Sequence, residues 1–237
     1  MIVFPMAGLS SRFFKEGYQV PKYMLDLNGI SIFEWAVTSF KNYFSDDLFL
    51  FVLFDQHNTL SFIEEKIKLM GIRNYQIICL EKMTLGQADT VYQGIKGFLT
   101  DEEMYIFNID SRLEKFRKND ELLNVDGYLE VFQGEGEHWS FIEPSINNLV
   151  LRTTEKDRIS NYCSNGLYYF KSIFLYKEIF EENINKLTKN ELYIAPLYNE
   201  YIKLGKTIKY KLVNYNDISF CGTPKEYQET KIRIQSK

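Results

Sequence analysis

Apolar and polar positions along the chain alternate between two rhythms. Ile2–Met6, Leu48–Phe54, Tyr75–Leu80 and Met104–Ile109 are short, largely apolar runs. All four predict strands, and Leu48–Phe54, apolar throughout, predicts one covered on both faces. Between these runs the apolar residues recur at helical spacing. Ile32–Tyr43 is one such stretch, with Ser31 as its cap and Glu34 three residues on to complete a capping box. Leu60–Met70, closed by Gly71, is the second, and Ala88–Leu99 is the third. Strand and helix thus alternate through the first half, which predicts a mostly parallel sheet between helices.

The rhythm loosens after Asp110. Asp126–Gln133 and Asn148–Thr153 read as strands of a smaller mixed region, and Gly166–Phe170 as a return strand. Two helices follow, Ile173–Lys186 and Leu192–Leu204, the latter closed by Gly205. Pro196 predicts that this last helix starts at the proline, which is tolerated in a first turn and not in an interior. The expected class is α/β: a mostly parallel, Rossmann-like central sheet flanked by helices, with a smaller mixed region.

Composition narrows the function. At 237 residues the chain is long enough for one sizeable core, so one domain is expected. Its 45% hydrophobic and 16% aromatic content suits a packed globular protein. A net charge of -4, with no block of Lys or Arg, argues against a nucleic-acid partner. Any bound polyphosphate must therefore be held by locally placed cations. Cys79, Cys163 and Cys221 have no paired spacing, and His57 and His138 stand alone, so no zinc site is expected. No signal-like segment precedes the first strand, and the densest apolar run is far too short to span a membrane. A cytoplasmic protein without a membrane partner is the expectation. The sequence carries no signal of oligomeric state.

In an open parallel sheet, ligands sit at the carboxyl ends of the strands. Two features fall there. The first is the turn Ala7-Gly8-Leu9-Ser10-Ser11, whose backbone N–H groups are free of bulky side chains and can wrap a phosphate. Arg12 adds a planar fork for phosphate oxygens and Lys22 a compact point charge. The second is Asp110, a carboxylate placed to hold Mg²⁺ against phosphate oxygens, although Asp at a strand end is also a plain turn former. Gly86-Gln87-Ala88 runs from a loop into a helix. Gly86 would let a flat base approach the backbone, and Gln87 can donate and accept along a base edge. A simple helix start capped by Thr84 or Asp89 is the competing reading.

Ala-Gly-x-x-Ser-Arg-Phe followed by Pro21-Lys22 resembles the signature of nucleotidyltransferases that activate sugar phosphates and related acceptors. That signature carries Gly where this chain has Ser10, so the turn must either keep φ negative there or tolerate strain. The resemblance runs from Met6 to Pro224. It implies that Arg12, Lys22 and Asp110 are catalytic and that Ala7–Arg12, Lys22 and Gly86–Ala88 bind the nucleotide. It also implies that Glu155, Lys156 and Asn165 contact an acceptor and its phosphate. The nucleotide-binding part would span residues 1–123, and the acceptor-binding part with its closing helices 124–237. Phe220-Cys221-Gly222-Thr223-Pro224 is similar to the closing Gly-Thr-Pro of the family. Members commonly carry a second metal-binding Asp two residues before that Gly, where this chain has Phe220. The nearest upstream carboxylate is Asp217, the expected second ligand beside Asp110.

Within the family, Gly86–Val91, Gly127-Tyr128, His138–Phe141 and Asn165–Phe170 look closest to bacterial capsule cytidylyltransferases. That likeness implies Mg²⁺ as cofactor, CTP as donor and a small phosphorylated acceptor, phosphoglutamine in phosphoramidate biosynthesis. Two readings compete: the same reaction on a sugar 1-phosphate, and a nucleotide-binding regulatory module without turnover, which the Phe220 departure motivates.

Overall fold

The computed structural model describes residues 1–119, 122, 124–187 and 191–235. In chain order, β1 (Ile2–Met6) leads through a short helix α1 (Ser11–Lys15) to α2 (Ile32–Val37) and β2 (Phe49–Phe54). Next come α3 (Thr59–Met70), β3 (Tyr75–Leu80), α4 (Gln87–Ile95) and β4 (Met104–Phe107). The second half holds β5 (Ser111–Leu113), β6 (Gly127–Gln133), β7 (Ser140–Pro144), β8 (Val150–Glu155) and β9 (Tyr162–Phe170). It closes with α5 (Ile173–Leu187), α6 (Leu197–Lys203), β10 (Ile208–Leu212), β11 (Ile218–Phe220) and α7 (Pro224–Gln235).

The main sheet runs β10-β6-β9-β4-β1-β2-β3, with β7 paired to β9 and β8 to β7. β1 pairs in parallel with β2 and β4, and β2 with β3, as the alternating pattern predicts. β9 then enters antiparallel between β4 and β6. The mixed second half is thereby hydrogen-bonded to the parallel first half in one sheet. Residue 123, the expected boundary between the two parts, lies outside the described residues.

Burial on both faces explains the apolar runs of β1, β2 and β4, whereas β3, at the edge of the sheet, is exposed or half-buried throughout. Ile2, Phe4 and Met6 of β1 face one core with Phe49, Phe51 and Leu53 of β2, while Val3, Leu50 and Val52 face the other. Ile63 and Ile67 of α3 cover the first face, and Val91 and Ile95 of α4 cover the second with residues of α5 and α6. Phe51 is wholly buried against Phe4, with ring centroids 5.3 Å apart, and truncating such a ring costs about 3–5 kcal/mol.

Two helices depart from the pattern. The stretch expected to run from Ile32 to Tyr43 is α-helical only to Val37 and continues as a 3₁₀ segment over Thr38–Tyr43. Phe40 leaves helical geometry at φ -107° to pack its ring 4.6 Å from Phe116 and 5.2 Å from Phe107. α4 stops at Ile95, and Leu99, beyond its end, is 91% exposed. The last helix starts at the proline, as Pro196 predicts, with Pro196 as its N-cap, while Leu192 bonds to the loop before α4. The pattern at Ser31 holds: its Oγ accepts from Glu34 N, and Ser31 N donates to Glu34 Oε2. Among the described residues no helix is long and apolar enough to cross a membrane.

Candidate active site

β1 lies between β2 and β4, so the chain's strand order reverses at β1, and the crevice opens beyond the carboxyl ends of β1 and β4. A cavity of about 450 Å³ occupies that place. Leu9, Ser10, Ser11, Arg12, Lys22 and Asp110 line one end of it. Trp139, Ser140, Glu155, Tyr168 and Tyr193 line the other.

The turn after β1 answers the question that Ser10 poses. Ser10 takes the left-handed conformation at φ 53°, ψ 30°. Its Oγ accepts a 3.0 Å hydrogen bond from Lys22 N, so the residue that replaces glycine ties the turn to the Pro21-Lys22 segment. Gly8 opens onto free space, since an added methyl would meet nothing within 4 Å. Phe13 anchors the short helix behind the turn, buried 5.3 Å from Tyr18 and 6.3 Å from Tyr227. Arg12, the exposed neighbour of this anchor, borders the cavity. Ala7 is buried in the approach to the turn.

Asp110 sits just past β4 and is half-buried, as is Lys22. Lys22 Nζ donates to Asp110 Oδ2, so the structure joins two residues that the sequence reading placed in one task. The antiparallel pair of β5 and β11, with Phe220 opposite Ser111, brings the C-terminal Gly-Thr-Pro segment to the same point. Cys221 N donates to Asp110 O at 2.7 Å, and burial pushes the Cys221 thiol up to about 12.

The loop before α4 is built on Gly86. At φ 147° and with Leu192 backbone atoms 2.4 to 2.9 Å from where a Cβ would stand, only glycine fits. Ala88 N donates to Leu192 O at 2.8 Å, and Leu192 N to Leu85 O at 2.9 Å. Gly86 therefore admits a neighbouring backbone segment on its open side. Gln87 reaches the cavity, where its Nε2 donates to Asn108 Oδ1.

At the far end, Ser140 Oγ donates to Glu155 Oε2 and lies 3.3 Å from Tyr168 Oη. Burial raises the Glu155 carboxyl above its ordinary value, against the opposing pull of Ser140 and of Lys156. Lys156 adopts φ 55°, and its Nζ donates to Tyr193 Oη while standing 4.4 Å above the Tyr193 ring. Asn165, expected to contact the acceptor, is 1% exposed and its amide is engaged inward. Its Nδ2 donates to Glu130 Oε2 and its Oδ1 accepts from Leu167 N, while Glu130 pairs with Lys211 at 2.8 Å. Asn165 lines the cavity with its amide held by these bonds.

Asp217 is not brought to the cavity. Its carboxylate pairs with Lys115 at 2.8 Å, in a 3₁₀ turn before β11. Glu226, on α7, lines the cavity instead and was not among the expected site residues. The sequence did hold a sign of it: Thr223-x-x-Glu226 is a capping-box pattern. Tyr193 and Glu191 were also missed: Tyr193 falls in what reads as helix, and Glu191 just before it. Among the described residues no group of three or more His, Cys, Asp or Glu converges as a metal cage.

No protein-family model matches the chain, and no curated protein matches it. Among solved structures, the nucleoside-diphosphate-sugar pyrophosphorylase from Vibrio cholerae RC9 is 42% identical over 98% of this chain and 100% of its own, with a TM-score of 0.93. The chain belongs to that nucleotidyltransferase family. More distant structures share the fold. The inositol-1-phosphate CTP transferase from T. maritima has a TM-score of 0.74 at 16% identity over 99% of this chain and 95% of its own. The UTP-bound UGPase from Acinetobacter baumannii has a TM-score of 0.68 at 16% identity over 98% and 92%. In this nucleotidyltransferase the turn after β1 and Asp110 after β4 stand at the carboxyl ends of two paired central strands.

Proposed function

We propose that this nucleotidyltransferase is a Mg²⁺-dependent cytidylyltransferase that transfers CMP from CTP to a small phosphorylated acceptor and releases pyrophosphate. The observation that carries the reading is the meeting of Lys22 and Asp110 beside the Ser10 turn, at the sheet's switch point. An acceptor phosphate oxygen attacks the α-phosphorus of CTP, and the bond from that phosphorus to the bridging oxygen of pyrophosphate breaks. No protein base is needed, because the second pKa of a phosphate monoester is about 6 and its dianion is already nucleophilic. The protein must instead gather two anions that repel each other. Arg12 and Lys22 supply the charge for the triphosphate, and Lys156 takes the acceptor phosphate.

Asp110 offers the hard oxygen donor that suits Mg²⁺, which is commonly held by one or two carboxylates with substrate phosphates completing its shell. When bound, Mg²⁺ would neutralise charge on the phosphates and polarise them. Leaving Asp110, Lys22 becomes free to meet a phosphate oxygen.

Phosphoglutamine is the favoured acceptor, and capsule phosphoramidate formation the favoured setting, on the likeness of His138–Phe141 and Asn165–Phe170 to capsule cytidylyltransferases. The aromatic and carboxylate character around Trp139 and Glu155 agrees with an acceptor bearing amide or ammonium groups. A sugar 1-phosphate is the second reading, favoured by the name of the Vibrio cholerae relative. Pyrophosphate release from CTP separates them, with phosphoglutamine set against glucose 1-phosphate and phosphocholine. Higher kcat/KM for glucose 1-phosphate selects the second reading. CTP binding without release for any acceptor selects a regulatory module.

A further inference from the structure

Glu226 is a cavity carboxylate to which the reaction above gives no task. It closes the N-terminus of α7: Thr223 N donates to its Oε2 at 2.9 Å, and its own N donates to Thr223 Oγ1 at 3.2 Å. The cap uses only Oε2. Oε1 stands 3.9 Å from His138 Nε2, and the side chain is 21% exposed.

Across Gly222, Glu226 faces Asp110. A methyl group on Gly222 would stand 3.2 Å from Asp110 Oδ2 and 3.3 Å from Glu226 Oε2. The missing side chain keeps open a space that both carboxylates border. Cys221 N on Asp110 O and the Thr223 cap fix the two ends of this short segment, so the opening is a property of the backbone. Two like charges around one small gap, at the triphosphate end of an anion-binding cleft, repel each other and the substrate unless a cation lies between them. Among the described residues Lys22 pairs with Asp110 and not with Glu226, and the reaction proposed above draws it to the phosphates.

The other candidates are spent. Phe220, at the position of the family's second Asp, packs its ring 4.8 Å from Trp139 and 5.4 Å from Phe132 and has no oxygen to offer. Asp217 is paired with Lys115.

We propose that Glu226 is the second carboxylate of the Mg²⁺ site, sharing the cation with Asp110 across Gly222. The inference rests on the Mg²⁺-dependent reading above. It moves the ligand from the strand β11 to the first turn of the helix that follows, and so lets position 220 join the aromatic wall of the acceptor end.

Glu226→Gln is the decisive variant, because glutamine serves a capping box as glutamate does but is a far poorer Mg²⁺ ligand. CTP binding to the full chain is measured by calorimetry with Mg²⁺ and with EDTA, and bound Mn²⁺ by electron paramagnetic resonance in CTP-saturated protein. The parent chain is expected to bind CTP at least about tenfold more tightly with Mg²⁺. Glu226→Gln and Asp110→Asn should each abolish most of that gain and lower the bound Mn²⁺, with unchanged melting temperature. Asp217→Asn should keep both. A Glu226→Gln protein that retains the full Mg²⁺ gain and its Mn²⁺ overturns the assignment alone. No Mg²⁺ gain in the parent chain overturns the assignment and the metal-dependent reading together.

Discussion

Lys22 Nζ donates to Asp110 Oδ2 across 88 residues of sequence, joining the segment tethered by Ser10 to the end of the central strand β4. The pair is half-buried, with side chains 23% and 17% exposed, so it is screened and adds little to stability. Its value is in placement: a cation that substrate can recruit rests on the carboxylate that a metal can claim.

Asp110→Asn should therefore preserve the shape of the site and remove its anionic donor. A fall in kcat of at least about a hundredfold is expected, with little change in melting temperature. Near-normal turnover at saturating Mg²⁺ would take Asp110 out of the metal site.

Arg12→Ala and Lys22→Ala should each cost on the order of 2–4 kcal/mol in kcat/KM if the residue meets the transferring phosphate. Folding should be nearly untouched, since Arg12 is exposed and the cation of Lys22 is partly solvated. Steady-state rates with CTP, set beside thermal melts, separate the two effects. Full activity in both variants would end the phosphate-turn reading.

How much of this was legible depended on whether the cause was local. The apolar runs of β1 and β2 are visible because each residue has its own buried face, and the Ser31–Glu34 box because its bonds span three residues. Ser10 could be flagged as misplaced in a glycine's role, but the bond that holds its φ comes from Lys22, twelve residues away. α7 was not singled out as a helix, since only Pro224, Tyr227 and Thr230 of its described residues are buried and its apolar stripe is thin. Asp217 and Glu226 differ in use through tertiary aim alone. A 3₁₀ turn sends one to Lys115, and the first turn of α7 sends the other to the cavity. The Thr223-x-x-Glu226 box marks the helix start locally, but that this start faces the cavity is set by tertiary packing.

Gly86→Ala tests the docking of the segment around Leu192 on the nucleotide loop. The new methyl would stand 2.4 Å from Leu192 N at a backbone conformation that L residues avoid. A loss of about 1–3 kcal/mol in stability is expected from strain and overpacking, together with weaker CTP binding. Unchanged unfolding midpoints would show that the 191–193 segment is not packed against this loop.

Glu155 sets a pH dependence. Burial raises its folded pKa above the unfolded value, so in the window between them the folded protein keeps a proton that the unfolded chain gives up. Stability should then fall as pH rises through that window and stay reduced above it. Glu155→Gln should flatten this slope and raise the melting temperature at neutral pH. A parent chain whose stability from mildly acidic to neutral pH tracks that of Glu155→Gln would exclude this source.

Lys156 is the last residue whose role can be separated by kinetics. It stands beside the cavity through Tyr193, which lines it and on whose ring and hydroxyl its ammonium rests, and its neighbour Glu155 is engaged by Ser140. A cation held by one hydroxyl and an aromatic face can turn to an incoming phosphate, gaining a charge-assisted bond. Lys156→Ala should raise the acceptor KM about tenfold or more while changing the CTP KM little, because the lost contact is made to the acceptor alone. Initial rates varied in both substrates give the two constants. Equal effects on both would place Lys156 on the triphosphate, and no effect would leave it as a surface cation holding Tyr193. Left-handed backbone at Lys156 requires one control: Lys156→Gly relieves the φ 55° conformation, so a KM effect shared by the Ala and Gly variants belongs to the ammonium and not to the backbone.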